Sequence, residues 1–158
     1  MRLILVAVGR AKAGPESDLA ARYQERAAKA GKGLGFRSID TVTLDESRLP
    51  EAAARKSEEA AAIRRARAGR LVLLDERGRS MGSPDFAALL GRWKDASEEA
   101  ATLVVGGPDG LDPALRAEAD LVLSFGALTW PHQLVRIMAL EQIYRAVTIL
   151  AGHPYHRA

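Results

Sequence analysis

Leu103-Val104-Val105-Gly106-Gly107-Pro108-Asp109-Gly110-Leu111-Asp112-Pro113 is the stretch on which the fold turns. It opens with apolar residues that do not alternate with polar ones, the pattern of a strand buried on both faces. A glycine-rich turn follows. Asp112-Pro113 then supplies a cap and a first-turn proline for a short helix. The next apolar run, Leu121–Ser124, completes a strand–helix–strand unit. Parallel strands need such crossovers, so the unit predicts an α/β fold: a parallel sheet with helices on both faces.

The same alternation extends outward. Leu3–Val8 reads as a buried strand ending at Gly9, and Pro15 starts a helix with Glu16 and Asp18 in its first turn, where the helix dipole favours acids. Leu19, Tyr23 and Ala27 recur every four residues and predict an inward stripe. Phe36–Val42 is a weakly alternating strand. Pro50 starts a second helix that Gly69 stops. Leu71–Leu74 is a strand halted by Asp75-Glu76-Arg77-Gly78. Ser83-Pro84-Asp85 caps a helix running through Trp93, Phe125–Pro131 is a loop, and His132–Ala151 is the last helix. No repeat or linker intervenes, so residues 1–158 make one domain with five to six strands.

Cysteine is absent, which excludes disulfides, thiolate metal sites and a cysteine nucleophile. No apolar run approaches the roughly 20 residues that span a bilayer, and Leu3–Val8 is too short for a signal peptide. A cytoplasmic protein without membrane contact is expected. Net charge is +3, unevenly spread: residues 1–79 carry 17 basic and 11 acidic side chains, residues 80–158 carry 6 and 9. The basic half, with Arg64, Arg65 and Arg67, suits a polyanion such as RNA; it equally suits a solvated helix face. The phosphate-binding P-loop, the dinucleotide fingerprint after the first strand and the nucleophile elbow are all missing.

In open α/β sheets, ligands bind beyond the carboxyl ends of the strands. Three such ends carry unusual loops: Leu73-Leu74-Asp75, Gly106–Gly110 and Phe125–Pro131. The third mixes glycine with apolar side chains, a better wall for a nucleoside than for a bare phosphate. All three histidines lie between residues 132 and 156. His132 opens the last helix, where the dipole disfavours its protonated form; capping is its plainer role. Arg136 lies one turn on, without the local carboxylate partner that Glu141 provides for Arg145. His153 and His156 lack a nearby third ligand, so no metal is expected. The last helix is apolar nearly all round, which predicts burial on two sides, the second by another copy of the chain.

Taken together, Gly106–Leu111, Leu128–His132, Glu141-Gln142-Ile143-Tyr144-Arg145-Ala146 and Pro154-Tyr155-His156-Arg157 resemble, in order and spacing, the RlmH family of bacterial large-subunit rRNA methyltransferases in the SPOUT superfamily. Val6–Gly9 and Leu74–Gly78 also fit, and the likeness covers the whole chain. One departure is Gly126, where many relatives carry serine.

The resemblance implies a single-domain SPOUT fold with a C-terminal deep trefoil knot, the knotted cofactor-binding part covering about 70–158. It implies S-adenosylmethionine held by Leu74, Gly106, Phe125, Gly126, Ala127, Leu128, Thr129 and Trp130. The product would be N3-methylpseudouridine in 23S rRNA of the assembled 70S ribosome, and the active form a homodimer through the C-terminal helix. His132, Arg136, Tyr144 and His156 are then the catalytic candidates, and His153, Tyr155 and Arg157 the substrate-binding ones. Two readings compete: a SPOUT methyltransferase acting on tRNA, and a non-catalytic ribosome-binding protein of the same fold. A small flavodoxin-like nucleotide binder fits the Trp-bearing loop less well.

Overall fold

The computed structural model describes residues 1–157. Its strands are β1 (Arg2–Val8), β2 (Ser38–Leu44), β3 (Arg70–Arg79), β4 (Ala100–Val105) and β5 (Leu121–Leu123). Its helices are α1 (Pro15–Gly31), α2 (Ala52–Ala66), α3 (Ser83–Asp95), α4 (Pro113–Glu118) and α5 (His132–Leu150), with a 3-10 turn at Lys32–Leu34. The five strands form one sheet in the order β2-β1-β4-β3-β5, every neighbouring pair parallel.

Strand residues Leu3–Val8 and Ala100–Val105 are buried throughout. Their side chains alternate between two cores because the strand period is two. On one face Leu3, Leu5, Leu103 and Val105 pack against α1, α3 and α5 through Ala27, Phe86, Leu90, Leu140 and Ile143. On the other, Ile4, Val6, Leu73 and Val104 meet Ala60 and Ile63 of α2 and Leu115 of α4. Removing such a leucine side chain costs about 2–5 kcal/mol, because the close-packed walls only partly collapse into the space.

Local chemistry sets the helix ends. Pro15 occupies the first position of α1, and Ser17 Oγ accepts from Gly14 N at 3.2 Å. Asp112 Oδ1 accepts from Ala114 N at 2.7 Å and so caps α4. Ser83 is the first residue of α3, with Gly82 as its cap. The helix after Pro50 begins at Ala52.

Three expectations change. The second strand begins at Ser38; Phe36 lies before it, fully buried against the end of α1. The stripe of α1 is only partly inward: Ala27 is buried, Tyr23 half-buried and Leu19 exposed at 37%. The third difference bears on the site. Asp75–Gly78 does not end β3. Leu123 pairs with Leu74 and again with Arg79, so the intervening segment bulges out and the chain returns across the end of β5. A Cβ at Gly78 would stand 2.7 Å from the Leu123 carbonyl carbon and the Val122 oxygen, so only glycine passes there.

Helix α5 is buried as its composition demands, but largely by its own chain. It packs against α1 and α3 as well as β1 and β4. Leu134 remains 41% exposed.

Candidate active site

Parallel strands put every carboxyl end on one side of the sheet. There the segments after β3, β4 and β5 enclose a cleft of about 500 Å³, a size that suits a nucleoside-sized ligand. Leu74, Gly106, Phe125, Gly126, Leu128, Thr129 and Trp130 line it. Ala127 lies in the same loop, is exposed and does not line the cleft. His132 and Val135, from the first turn of α5, close one side.

The three segments hold one another in place. Ser124, buried at the end of β5, accepts from Gly126 N at 3.1 Å, and its Oγ lies 3.0 Å from Gly126 O and 3.2 Å from Glu76 O. Ser124 N donates to Arg79 O at 3.0 Å. Gly126 has φ +114°, a conformation that side chains with a Cβ rarely adopt. The departure from serine at this position therefore suits the turn. A Cβ at Gly106 would come within 3.0 Å of Leu111, and one at Gly107 within 3.1 Å of Glu59 Oε2 and 3.2 Å of Val8 Cγ1. At Gly106 and Gly107 a side chain would fit only if Leu111, Glu59 and Val8 gave way by a few tenths of an ångström.

Electrostatically the cleft is mostly neutralised. Arg116 pairs with Asp75 at 2.5 Å, and Arg55 with Asp109 at 2.6 Å. Glu76 Oε2 accepts from Thr129 Oγ1 at 3.4 Å. Lys56, Arg77 and His132 also line the cleft and form no ion pair among the described residues. Behind it, Glu59 is buried, with Oε1 accepting from Ser47 N at 2.9 Å. Burial pushes its carboxyl above the ordinary range.

The remaining candidates divide into two groups. Arg136 lies behind the cleft wall: it is 5% exposed, and Nη2 donates to Gly9 O at 2.6 Å. Its Nε has no partner, and burial lowers its pKa. Tyr144, Tyr155 and His156 form a second cluster where the tail folds back on α5. Tyr155 donates its hydroxyl to Glu141 Oε1 at 3.0 Å, and its ring lies 4.6 Å from Tyr144 and 4.8 Å from the Arg145 guanidinium. Arg145 Nη1 is 3.3 Å from His156 Nδ1, and Nη2 donates to Glu141 at 2.6 Å. Burial, then Tyr23 and Glu141, raise the Tyr155 phenol and keep it neutral. His153 and Arg157 are exposed; His153 Nδ1 accepts from Tyr155 N at 3.1 Å. Tyr155 lines a second cavity whose wall includes Phe125 and Gly126. That loop therefore stands between the two groups.

Sequence reading missed Arg55, Lys56, Glu76 and Ser124. No local signal marks them: the first two sit in a charged helix, and only the fold turns Lys56 to the cleft and brings Arg55 to Asp109 on its wall. Arg64 in α2 and Arg67 just after it both pair with Glu118, at 2.6 and 3.8 Å.

Among the described residues no three His, Cys, Asp or Glu side chains group closely enough to hold a metal ion. Among the described residues no helix is long and apolar enough to cross a membrane. The walls do fit an adenosyl group. Leu74, Val105, Leu123 and Phe125 offer apolar surface, and the 106–110 and 125–130 backbones offer polar atoms.

Residues 1–156 match the model of the family described as "Predicted SPOUT methyltransferase". The chain belongs to this SPOUT methyltransferase family. Members use S-adenosylmethionine as methyl donor, so the chain is an S-adenosylmethionine-dependent methyltransferase. Along its whole length it is 59% identical to the ribosomal RNA large subunit methyltransferase H of Rhodopseudomonas palustris strain HaA2, and 57% to that of Bradyrhizobium sp. strain BTAi1; both alignments cover all of each chain. A probable methyltransferase from Bordetella pertussis Tohama I has a similar fold, at TM-score 0.50 and 16% identity, over 92% of this chain and 95% of that one. A probable methylase family protein from Haemophilus influenzae Rd KW20 has one too, at TM-score 0.50 and 13% identity, over 99% and 70%.

Proposed function

We propose that this SPOUT methyltransferase methylates N3 of a pseudouridine in 23S rRNA of the assembled 70S ribosome, in the cytoplasm and as a homodimer. The observation that carries the reading is the cleft itself. Three strand-end loops converge on an adenosyl-sized space beside His132, in a chain alike from end to end to enzymes named for the large ribosomal RNA. The same reading takes 70–158 as the knotted, donor-binding part; the passage of Asp75–Arg79 across the end of β5 supports it.

When bound, the donor supplies an electrophilic methyl on a sulfonium that leaves as a neutral thioether. The rest of the work belongs to the protein. N3 of a pseudouridine is an imide N–H and attacks poorly until it loses its proton. The protein must hold the base in line and take or delocalise that proton. Positioning is worth up to ~7–11 kcal/mol, and a placed base about 10²–10⁴-fold. His132, which lines the cleft, is the first candidate to receive the proton; His156 is the second. Arg136 acts from behind by tying β1 to α5 through Gly9 O. Tyr144 backs the Tyr155 ring, and His153, Tyr155 and Arg157 present polar and aromatic surface to RNA at the end of α5.

Exposed Leu134 on α5 and Leu19 on α1 favour a second copy as the cover of this side; a monomer in light scattering at micromolar concentration would reject that cover. The deciding experiment is mass spectrometry of rRNA from a strain lacking the gene, before and after its ribosomes receive protein and S-adenosylmethionine. A methyl gained on a 23S pseudouridine is expected. Methylation of tRNA instead, or donor binding without any product, overturns the reading.

A further inference from the structure

Lys56 is the residue in the cleft that the reaction scheme above leaves without a task. It lies in the second turn of α2, half-buried, and lines the cleft beside Gly107 and Asp109. Asp109, whose carboxylate senses the Lys56 charge, forms no ion pair with it among the described residues. Both Asp109 oxygens are taken by Arg55, from Nε at 2.6 Å and Nη2 at 3.0 Å. Glu59, one turn along α2, is buried, with Oε1 held by Ser47 N. Lys56 makes no hydrogen bond or ion pair among the described residues. Arg77, the other free cation of the cleft lining, is exposed to water, whereas Lys56 is partly shielded. A partly shielded ammonium is screened less than an exposed one and attracts an anion more strongly.

We propose that Lys56 Nζ receives an oxyanion in the cleft, placed by the Arg55–Asp109 pair that leaves it free. Two sources carry that chemistry: the carboxylate of the donor's amino-acid portion and a phosphate of the RNA. This rests on the cleft being the donor site, so the test begins with that premise. Calorimetry of the full chain with S-adenosylhomocysteine and with methylthioadenosine, which lacks the carboxylate, shows first whether the cleft binds the nucleoside. If neither binds the parent chain, the premise fails and not the lysine.

Lys56→Met keeps the length and removes the charge. If the donor supplies the anion, this variant loses about tenfold or more in affinity for S-adenosylhomocysteine and nothing for methylthioadenosine. If RNA supplies it, both affinities stay unchanged. The ribosome concentration at half-maximal rate rises instead, and its salt dependence becomes shallower. Lys56→Arg restores the lost affinity in either case. Two results overturn the proposal: no change in any of these quantities, or an equal loss for both nucleosides, which would mean that the side chain only shapes the cleft.

Discussion

Arg55 and Asp109 are separated by 54 residues in the chain and joined by two parallel contacts, Nε to Oδ2 at 2.6 Å and Nη2 to Oδ1 at 3.0 Å. The third nitrogen of the same guanidinium donates to Leu49 O at 2.9 Å and Pro50 O at 2.7 Å. One side chain thus ties the loop after β4 to the loop before α2. Arg55→Ala should release residues 106–110 and weaken donor binding severalfold in calorimetry while leaving the melting temperature nearly unchanged. Arg55→Lys should not restore it, because an ammonium cannot reproduce the planar fork. Unaltered donor affinity in Arg55→Ala would remove the pair from the design of the cleft.

Glu59 gives a pH signature. Burial holds its carboxyl above the ordinary range in the folded chain, so the folded state binds the proton more tightly than the unfolded one. The associated stability is complete below the unfolded pKa and is lost as pH rises through the folded one. Glu59→Gln keeps an oxygen for Ser47 N and has no charge to bury. It should melt higher than the parent chain at neutral pH, and the fall of melting temperature on leaving the acidic range should flatten. A lower melting point with the parent's pH slope would contradict this.

At Gly78 the constraint is contact with backbone, which cannot swing aside as a flexible side chain can. Gly78→Ala should destabilise the chain by about 1–3 kcal/mol, the usual cost of overpacking. Because the displaced atoms belong to Val122 and Leu123, donor binding should fall as well. Chemical denaturation and calorimetry on one preparation test both; a neutral substitution would mean that β5 has slack to yield.

The tail offers a separation of functions. Tyr155 is held by Glu141 and Arg145 and reaches the cleft only through the shared Phe125–Gly126 wall. A chain ending at His153 should therefore bind donor nearly as well as the parent and lose methyl transfer. Full turnover in that truncation would reject a role for Tyr155, His156 and Arg157.

Much of this was legible in the residues. Non-alternating runs such as Leu3–Val8 and Leu103–Val105 can be satisfied only by burial on both faces, so they announce a parallel sheet. Pro15 and Asp112-Pro113 announce helix starts by chemistry within a few residues. The three loops of the cleft were legible for the same reason: each lies at the carboxyl end of a strand that the pattern had already marked. Asp75–Gly78 was misread because its polarity looks like a turn, whereas its path is imposed by the distant Leu123. The pairing of Arg64 and Arg67 was not legible, because their common partner, Glu118, lies on another helix.

By itself, then, the sequence determined the elements, their parallel arrangement and the three strand-end loops that enclose the cleft, since these follow from periodicity and short-range capping. Only the tertiary structure decided which charges remain free. Arg55 claims Asp109 and leaves Lys56 open, Arg136 turns to the Gly9 carbonyl, and the tail settles on Glu141 and Arg145. Ion pairing and burial depend on distances between segments far apart in the chain, and those distances exist only once the sheet has brought the segments together.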